Sequence, residues 1–418
     1  MIDEDGLNIW YEQRLVGYLW RNAIDYIGFR YDKNWLMSDG FAVSRMLPLQ
    51  AGEFAPEQAV AHRFFANLLP EGGARENVVR NLKIANTDFA LLAAIGGECA
   101  GALSVLAVEQ EPSEEYRFSS LDDDDMARLI TRRGQLFANL PQAKRPRLSL
   151  AGAQDKCAVM FNDAGYFFPI GDTPSTHILK FESPDYRNLP VYEVFTSKLA
   201  KLIGLPVVDI ELRETSGKQY AQIMRYDRLL QADNRIKRIH QEDFCQALGY
   251  SHTRKYQHDG GPAFAQCLGM LRDTSDDPAS DVQHLLKWQI FNVLAGNSDG
   301  HAKNLSLLYL PDGRIRMAPF YDLICTRAIE RIDANLAFDI GGQRNPANVS
   351  RDDWIAFANA SDVGSRYVLG LVSDIAALLL KHLPETRQAF EQHYGKAPAL
   401  QRIEKTVTNQ CKRVATLI

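Results

Sequence analysis

The stretch Asn297-Ser298-Asp299-Gly300-His301-Ala302-Lys303-Asn304, with Asp322 further on inside Pro319-Phe320-Tyr321-Asp322, holds residue types that could transfer a phosphoryl group. That chemistry needs a carboxylate to orient and deprotonate a hydroxyl, and oxygen ligands to hold Mg²⁺ against nucleotide phosphates. An Asp-x-x-x-x-Asn loop and a second Asp supply both. On this reading Asp299 is the base, and Asn304 and Asp322 are metal ligands, because a hard cation prefers carboxylate and amide oxygens. Lys303 adds local positive charge. The same residues also make ordinary turns and helix caps, so the loop alone leaves two readings open.

Such a loop needs rigid elements on either side. Leu285, Leu286, Trp288, Phe291, Val293 and Leu294 follow a helical apolar pattern that stops at Gly296. After the loop, Leu305 to Tyr309 reads as a strand, Pro311-Asp312-Gly313 as a turn and Arg314 to Pro319 as the return strand. A hairpin of this kind carries Asn304 and Asp322 to the same end.

A second constellation lies upstream. Ser149-Leu150-Ala151-Gly152-Ala153-Gln154-Asp155-Lys156 runs into the strand-like Cys157 to Phe161, and its small residues would let backbone N–H groups approach phosphate oxygens. Lys180 emerges from the apolar run His177-Ile178-Leu179, where a phosphate-reaching cation would sit. Neither segment is a Walker-type or Gly-x-Gly-x-x-Gly fingerprint. Taken singly, Lys180 reads as a surface lysine and Ser149 as a strand or cap hydroxyl.

The order of these motifs resembles the HipA-type serine/threonine kinases, toxin components of bacterial toxin–antitoxin pairs. The resemblance covers nearly the whole chain. Besides the blocks already quoted it rests on Thr176 to Lys180, Arg225-Tyr226-Asp227-Arg228, Gln241 to Gly249, Lys255-Tyr256 and Asp259-Gly260-Gly261-Pro262. It implies an α+β, two-lobed protein-kinase-like (PI3/4-kinase-like) fold, with an N-terminal mixed α/β subdomain and a helix-rich C-terminal lobe.

The resemblance also implies roles. Asp299 would be the catalytic base, with Asn304 and Asp322 on Mg²⁺. Ala151, Gly152, Ala153, Gln154, Asp155 and Lys156 would lie near ATP, Lys180 would contact its phosphates, and Met224, Arg225 and Tyr226 would form the hinge beside adenine. His301, Lys303 and Tyr321 would complete the nucleotide-contacting set. The family often has Glu where this chain has Arg225, a change that backbone hydrogen bonds to adenine would survive. Ser149 corresponds to the family's autophosphorylated serine. A phosphoryl group there adds roughly −1.5 to −2 charges beside the nucleotide's own phosphates, disfavouring the ATP-ready loop. Glu193, on a helix-like run from Tyr192 to Ile203, could pair with Lys180 as a regulatory-helix Glu does in protein kinases; otherwise it is an exposed surface glutamate.

In function, the family implies phosphorylation of a serine on a target protein and binding of a small helix-turn-helix antitoxin that represses the operon. The leading target is an aminoacyl-tRNA synthetase, the glutamyl enzyme first among them. Two alternatives remain: a small-molecule kinase of the aminoglycoside or choline type, which shares the Asp-x-x-x-x-Asn…Asp logic, and a kinase-shaped corepressor that needs no turnover.

With 418 residues and 46% hydrophobic content, the chain can bury two or three cores. A net charge of −5 argues against a large nucleic-acid surface of its own, so DNA association is expected only through the antitoxin. The basic cluster Lys144-Arg145-Pro146-Arg147, with Arg132-Arg133 nearby, reads as a solvated face or linker more readily than as a phosphate site. The six cysteines show no Cys-x-x-Cys pair, which suggests neither a zinc site nor a disulfide framework and points to a reducing compartment. The acidic Met1-Ile2-Asp3-Glu4-Asp5 is unlike a signal peptide, and no run approaches about 18 consecutive apolar residues, so a cytoplasmic, membrane-free protein is expected.

With the patterning, the resemblance implies four segments: an N-terminal subdomain over 1–108, a linker and helix over 109–143, a nucleotide-binding lobe over 144–228 and a helical lobe over 229–418. In the first, Val16 to Trp20 reads as strand and Ala59 to Leu69 as helix, while Leu68-Leu69-Pro70-Glu71-Gly72 and Gly96 to Ala102 read either as family signature or as turn punctuation. The polar stretch Glu109 to Ser120 is the linker candidate. The four aspartates Asp122 to Asp125 favour a helix start. The tail from Asp352 onward is amphipathic helix, including Val368 to Leu383.

Overall fold

The structure, a computed structural model, describes residues 6–134, 147, 149–233 and 235–418. Lys144, Arg145 and Pro146 of the basic cluster lie outside them.

The N-terminal subdomain is an antiparallel sheet of β1 (Leu7–Tyr11), β2 (Arg14–Arg21), β3 (Ile27–Tyr31), β4 (Glu53–Phe54) and β5 (Leu103–Ala107), in the order β4-β3-β2-β1-β5. Helices α1 (Lys33–Met37), α2 (Val60–Ala66), α3 (Gly72–Leu82) and α4 (Asp88–Ile95) accompany it. The register of β1 and β2 shifts opposite Ile9–Trp10, leaving Val16 as an extra residue in β2, and Val16 and Leu19, three residues apart, both enter a core with Phe29, Phe64, Phe65 and Leu92.

A second lobe is built on another antiparallel sheet. Its strands are β6 (Phe118–Leu121), β7 (Lys156–Asn162), β8 (Gly165–Pro169), β9 (His177–Lys180), β10 (Ile210–Thr215) and β11 (Lys218–Met224), ordered β10-β11-β9-β7-β8-β6. Here the expected linker is corrected. Phe118 to Leu121 pairs with β8 as the sheet's edge strand, and the following helix α5 (Asp123–Thr131) packs Met126, Leu129 and Ile130 against Val159, Leu179 and Phe181. The Asp122 carboxylate caps α5 by accepting from Asp125 N–H at 2.7 Å. An edge strand tolerates polar residues because one side of its ladder is open, which is why its sequence resembles a linker. Helix α6 (Leu189–Leu202) crosses behind the sheet and leads to its β10 edge.

The C-terminal lobe holds the hairpin β12 (Arg228–Leu230)–β13 (Ile236–Arg238) and a small sheet of β14 (His240–Asp243), β15 (Ser306–Tyr309) and β16 (Ile315–Met317). Its helices are α7 (Phe244–Ala247), α8 (Phe264–Thr274), α9 (Pro278–Ala295), α10 (Arg351–Ala360), α11 (Ser365–Tyr394) and α12 (Pro398–Leu417). By length and composition α11 is apolar enough to cross a membrane. Its stripe Val368, Val372, Ile375, Leu379 and Leu383 is nevertheless buried in the lobe's main core. The α9 core residue Trp288 stacks on Phe320 at 5.9 Å, and Phe320 is tied to the segment between α6 and β10 through Pro206 O (2.7 Å) and Val208 N (3.0 Å). One buried ring therefore fixes both the loop after α9 and the segment that carries Asp322.

A buried ion cluster joins the N-terminal subdomain to the rest of the chain. Glu98, fully buried, accepts from Arg225 (2.9 Å), Arg228 (2.9 Å) and Arg238 (2.9 Å), and Asp227 accepts from Arg225 (2.8 Å). Burial alone would raise the Glu98 pKa, but the three guanidiniums outweigh it and hold the carboxyl at about 2, against an ordinary value of 4.5. Its stabilising contribution is thus complete above the unfolded-state value and is lost as pH falls from about 4.5 towards 2. Glu98→Gln strands buried guanidinium charge and is expected to cost about 3–5 kcal/mol, read as a lower urea midpoint at neutral pH. The wild-type/variant gap should narrow on acidification; a constant gap would contradict the ionic account.

Candidate active site

The Asp299 loop starts where α9 ends. Gly296 adopts φ 76° as the helix cap, the Asn297 side-chain amide reaches Asn292 Oδ1 at 3.0 Å, and Ser298 is bonded to Thr326. Gly300 passes so close to α9 that a Cβ there would lie 2.5 Å from Asn292 Nδ2. Asn304 Nδ2 donates to the Asp299 carbonyl at 3.1 Å, which closes the loop and leaves its amide oxygen as an acceptor. Asp299 itself is exposed to the cleft, and its Oδ1 accepts from Tyr256 Oη at 2.6 Å. Beneath it His301 is buried, with burial pushing its pKa down to about 4, so the ring is neutral at pH 7.

Lys180, on β9, is buried and spans the lobes: its ammonium donates to Glu193 on α6 at 2.6 Å and to Asp322. Burial opposes its charge, but Asp322 and Glu193 outweigh burial and raise its pKa; conversely Lys180 and Lys156 keep Asp322 ionised despite burial. The pairing of Lys180 with Glu193 read from the sequence is therefore present. Asp322 occupies the left-handed region at φ 57°.

The loop before β7 faces this pair. Gly152 sits at φ 106°, and a Cβ there would meet Lys156 Nζ at 2.8 Å. Lys156 Nζ donates to the Ala151 carbonyl at 2.7 Å, and burial pushes its pKa down to about 8. Gln154 donates to the Phe181 carbonyl at 3.2 Å, and Asp155 lies 3.6 Å from Arg133. Ser149 is fully buried: its Oγ donates to the Leu68 carbonyl at 2.8 Å and its N–H to the Glu98 carbonyl at 2.9 Å. Of the basic cluster, Arg147 is spent on carbonyls, including Ala94 at 3.3 Å and Val105 at 3.2 Å.

Together the two loops, Lys180, Asp322 and the Met224–Tyr226 segment line one cavity of about 600 Å³, within the usual size range for a small-molecule site. Ala153, His301, Lys303, Asn304 and Tyr321 line it as well. Met224 is half exposed there, while Tyr226 stacks on Tyr321 at 5.8 Å, and the Tyr321 hydroxyl donates to the Lys303 carbonyl at 2.9 Å.

Two side chains differ from expectation. Arg225 belongs to the lining segment, yet its guanidinium turns away into the Glu98–Asp227 cluster, and its backbone N–H donates to the Thr176 carbonyl at 2.9 Å, as the Met224 N–H does to the Asp209 carbonyl at 2.8 Å. Lys303 does not offer a free cation: its ammonium is held by Asn67 Oδ1 at 2.8 Å, with Glu71 at 3.3 Å and Asp243 at 3.5 Å. Glu71 and Asn67, from the N-terminal subdomain, and Asp243 join the site without a signal in the sequence. Their contacts span large sequence separations, 236 residues for Asn67 and Lys303, and no local pattern reports such a pairing.

As to metal, no group of three or more His, Cys, Asp or Glu side chains able to hold an ion occurs among the described residues. Asp322 and the Asn304 amide oxygen fit Mg²⁺ instead, which takes one or two protein ligands and completes its shell with water and substrate phosphates.

The sequence matches the HipA-like C-terminal domain over residues 148–387 and the HipA N-terminal domain over residues 7–106. The chain belongs to the HipA family. It is 37% identical over 399 residues to the putative kinase Y4mE of Sinorhizobium fredii, covering 92% of this chain and 93% of that one. To the serine/threonine-protein kinase toxin HipA of Shewanella oneidensis it is 28% identical over 404 residues, 91% of each chain. The solved complex of Shewanella oneidensis HipA, HipB and operator DNA superimposes with a TM-score of 0.81 at 26% identity, covering 97% of both chains. This HipA-family chain is a serine/threonine kinase with the two-lobed kinase-like fold.

Proposed function

We propose that this kinase is the toxin of a toxin–antitoxin pair that transfers the γ-phosphoryl group of ATP to a serine of an aminoacyl-tRNA synthetase, with the glutamyl enzyme as leading candidate. The observation that carries the catalytic part is the convergence on one cleft of Lys180, bonded to Glu193 and Asp322, with Asp299 and Asn304 of the loop after α9.

Lys180 neutralises phosphate charge, the small-residue loop from Ala151 to Lys156 approaches the phosphates with backbone N–H groups, and the Met224–Tyr226 backbone borders adenine. Asp322 and Asn304 would hold Mg²⁺, which screens the phosphate oxygens. Asp299 accepts the proton of the attacking serine hydroxyl as its oxygen bonds to the γ-phosphorus and the bond to the β-phosphate oxygen breaks, releasing ADP.

Ser149 is the proposed self-modification site. Its hydroxyl is enclosed against Leu68 in this arrangement, so phosphorylation requires the loop to leave its place, and the added charge then disfavours return. A small helix-turn-helix antitoxin is the proposed partner, with DNA bound through it, in the cytoplasm; the Shewanella oneidensis complex supports this reading.

Incubation with Mg²⁺–ATP and a panel of purified aminoacyl-tRNA synthetases tests the substrate. Phosphate on a serine of one synthetase, with loss of its charging activity, is expected. Modification of none, together with competition by small hydroxylated acceptors, would transfer the weight to a small-molecule kinase.

A further inference from the structure

Glu71 lies just before α3, outside both kinase lobes, yet it stands at the junction of three parts of the cleft. Its backbone N–H donates to the Gly152 carbonyl at 3.2 Å, beside the parallel bridge of Pro70 with Gly152 in the phosphate-facing loop. Its carboxylate accepts from Lys255 Nζ at 2.8 Å and lies 3.3 Å from Lys303 Nζ of the base loop. Burial acts to raise its pKa, but Lys303 and Lys255 outweigh it and hold the carboxyl at about 2, so it is ionised throughout the physiological range.

The next residue after Lys255 is the one that touches the base. Tyr256 Oη donates to Asp299 Oδ1 at 2.6 Å, its ring meets His301 edge-on at 5.2 Å, and the Lys255 carbonyl accepts from Ala302 N–H at 3.4 Å. Behind it the chain folds back through Gly260 (φ 78°) so tightly that a Cβ on Gly261 would lie 2.4 Å from the Arg254 carbonyl oxygen. The Lys255–Tyr256 segment is thus pinned at one end by a tight turn and at the other by Glu71.

We propose that Tyr256 is a positioning residue for the base Asp299 and that Glu71 of the N-terminal subdomain holds it in place through Lys255, so that the active site is completed by a module outside the kinase lobes. With Oδ1 occupied by Tyr256, the second carboxylate oxygen is the one free to meet an acceptor hydroxyl. The proposal rests on the assignment of Asp299 as the base. It separates two tasks: ATP is held by Lys180, Asp322 and the 151–156 loop, whereas Glu71 and Tyr256 govern the step in which the hydroxyl is aligned and deprotonated.

The test is a double-mutant cycle in the full-length chain, with Glu71→Gln, Tyr256→Phe, the pair, Glu71→Asp and Asp299→Asn. Phosphoryl transfer from Mg²⁺–ATP to protein and to water is followed together with ATP affinity and thermal midpoint. Each single variant is expected to lower kcat about 10- to 10²-fold with ATP affinity changed by less than about twofold, since misplacing a catalytic group by about 1 Å has that effect. The pair should be no slower than the slower single variant, because both act on one alignment. Glu71→Asp should recover part of the rate.

Losses that multiply in the pair, or rates unchanged in Tyr256→Phe, would overturn the proposal. If Asp299→Asn is inactive while Glu71→Gln and Tyr256→Phe retain the wild-type rate, this inference fails alone; if Asp299→Asn is fully active, the base assignment fails first. Should Glu71→Gln not fold, Lys255→Met replaces it in the same cycle with the same expected outcome.

Discussion

Asp299→Asn is expected to lower kcat about 10²–10⁴-fold while leaving the thermal midpoint and ATP affinity close to wild type. The two side chains are nearly isosteric, and an amide oxygen still accepts the Tyr256 hydrogen bond seen at 2.6 Å. What the amide cannot do is take a proton from an attacking hydroxyl. Because Asp299 is exposed to the cleft, its replacement neither opens a cavity nor strands a buried charge, so the effect should fall on turnover and not on folding. Steady-state ADP formation with Mg²⁺–ATP measures it. An unchanged rate would remove Asp299 from the role of base and assign deprotonation of the acceptor hydroxyl to another group.

Removing Asp322 should have an effect of comparable size by a different route. Asp322→Ala is expected to lower turnover roughly 10²–10³-fold and to weaken the Mg²⁺ dependence of ATP binding, since it deletes the only carboxylate among the assigned metal ligands and a partner of Lys180. Alanine at φ 57° also adds backbone strain, whereas asparagine tolerates that region. Asp322→Asn is therefore the cleaner comparison: the same Mg²⁺ defect with a smaller loss of stability. Calorimetric ATP titrations with and without Mg²⁺ distinguish the outcomes, and normal Mg²⁺–ATP binding by both variants would contradict the ligand assignment.

The parts of the site readable in the sequence are those governed by local pattern. The apolar spacing from Leu285 to Leu294 ending at Gly296 corresponds to α9 and its left-handed cap, and Pro311-Asp312-Gly313 is the turn between β15 and β16. The pairing of Lys180 with Glu193 was legible only through resemblance, because nothing local says that a lysine on a strand meets a glutamate on the next helix. Arg225 shows the limit most clearly. An arginine reads as surface, and its burial depends on Glu98, 127 residues away, and on Asp227 two residues on. Lys303 is similar: a lysine in a phosphate-handling loop suggests a free cation, until Asn67 and Glu71 arrive from another module. The strand Phe118–Leu121 is hidden for another reason: none of its four residues is buried, so no apolar in-and-out alternation marks it in the sequence.

The most direct measurement is phosphosite mass spectrometry on the purified full-length protein after incubation with Mg²⁺–ATP, beside Asp299→Asn treated in the same way. Phosphate on Ser149 of the wild type and none in the variant is the predicted result: it would show that the Lys180–Asp322–Asn304–Asp299 cleft transfers phosphoryl groups to a serine and that the enclosed Ser149 loop opens during the cycle. Equal phosphorylation of both proteins, or of neither although the wild type binds ATP, would contradict the account.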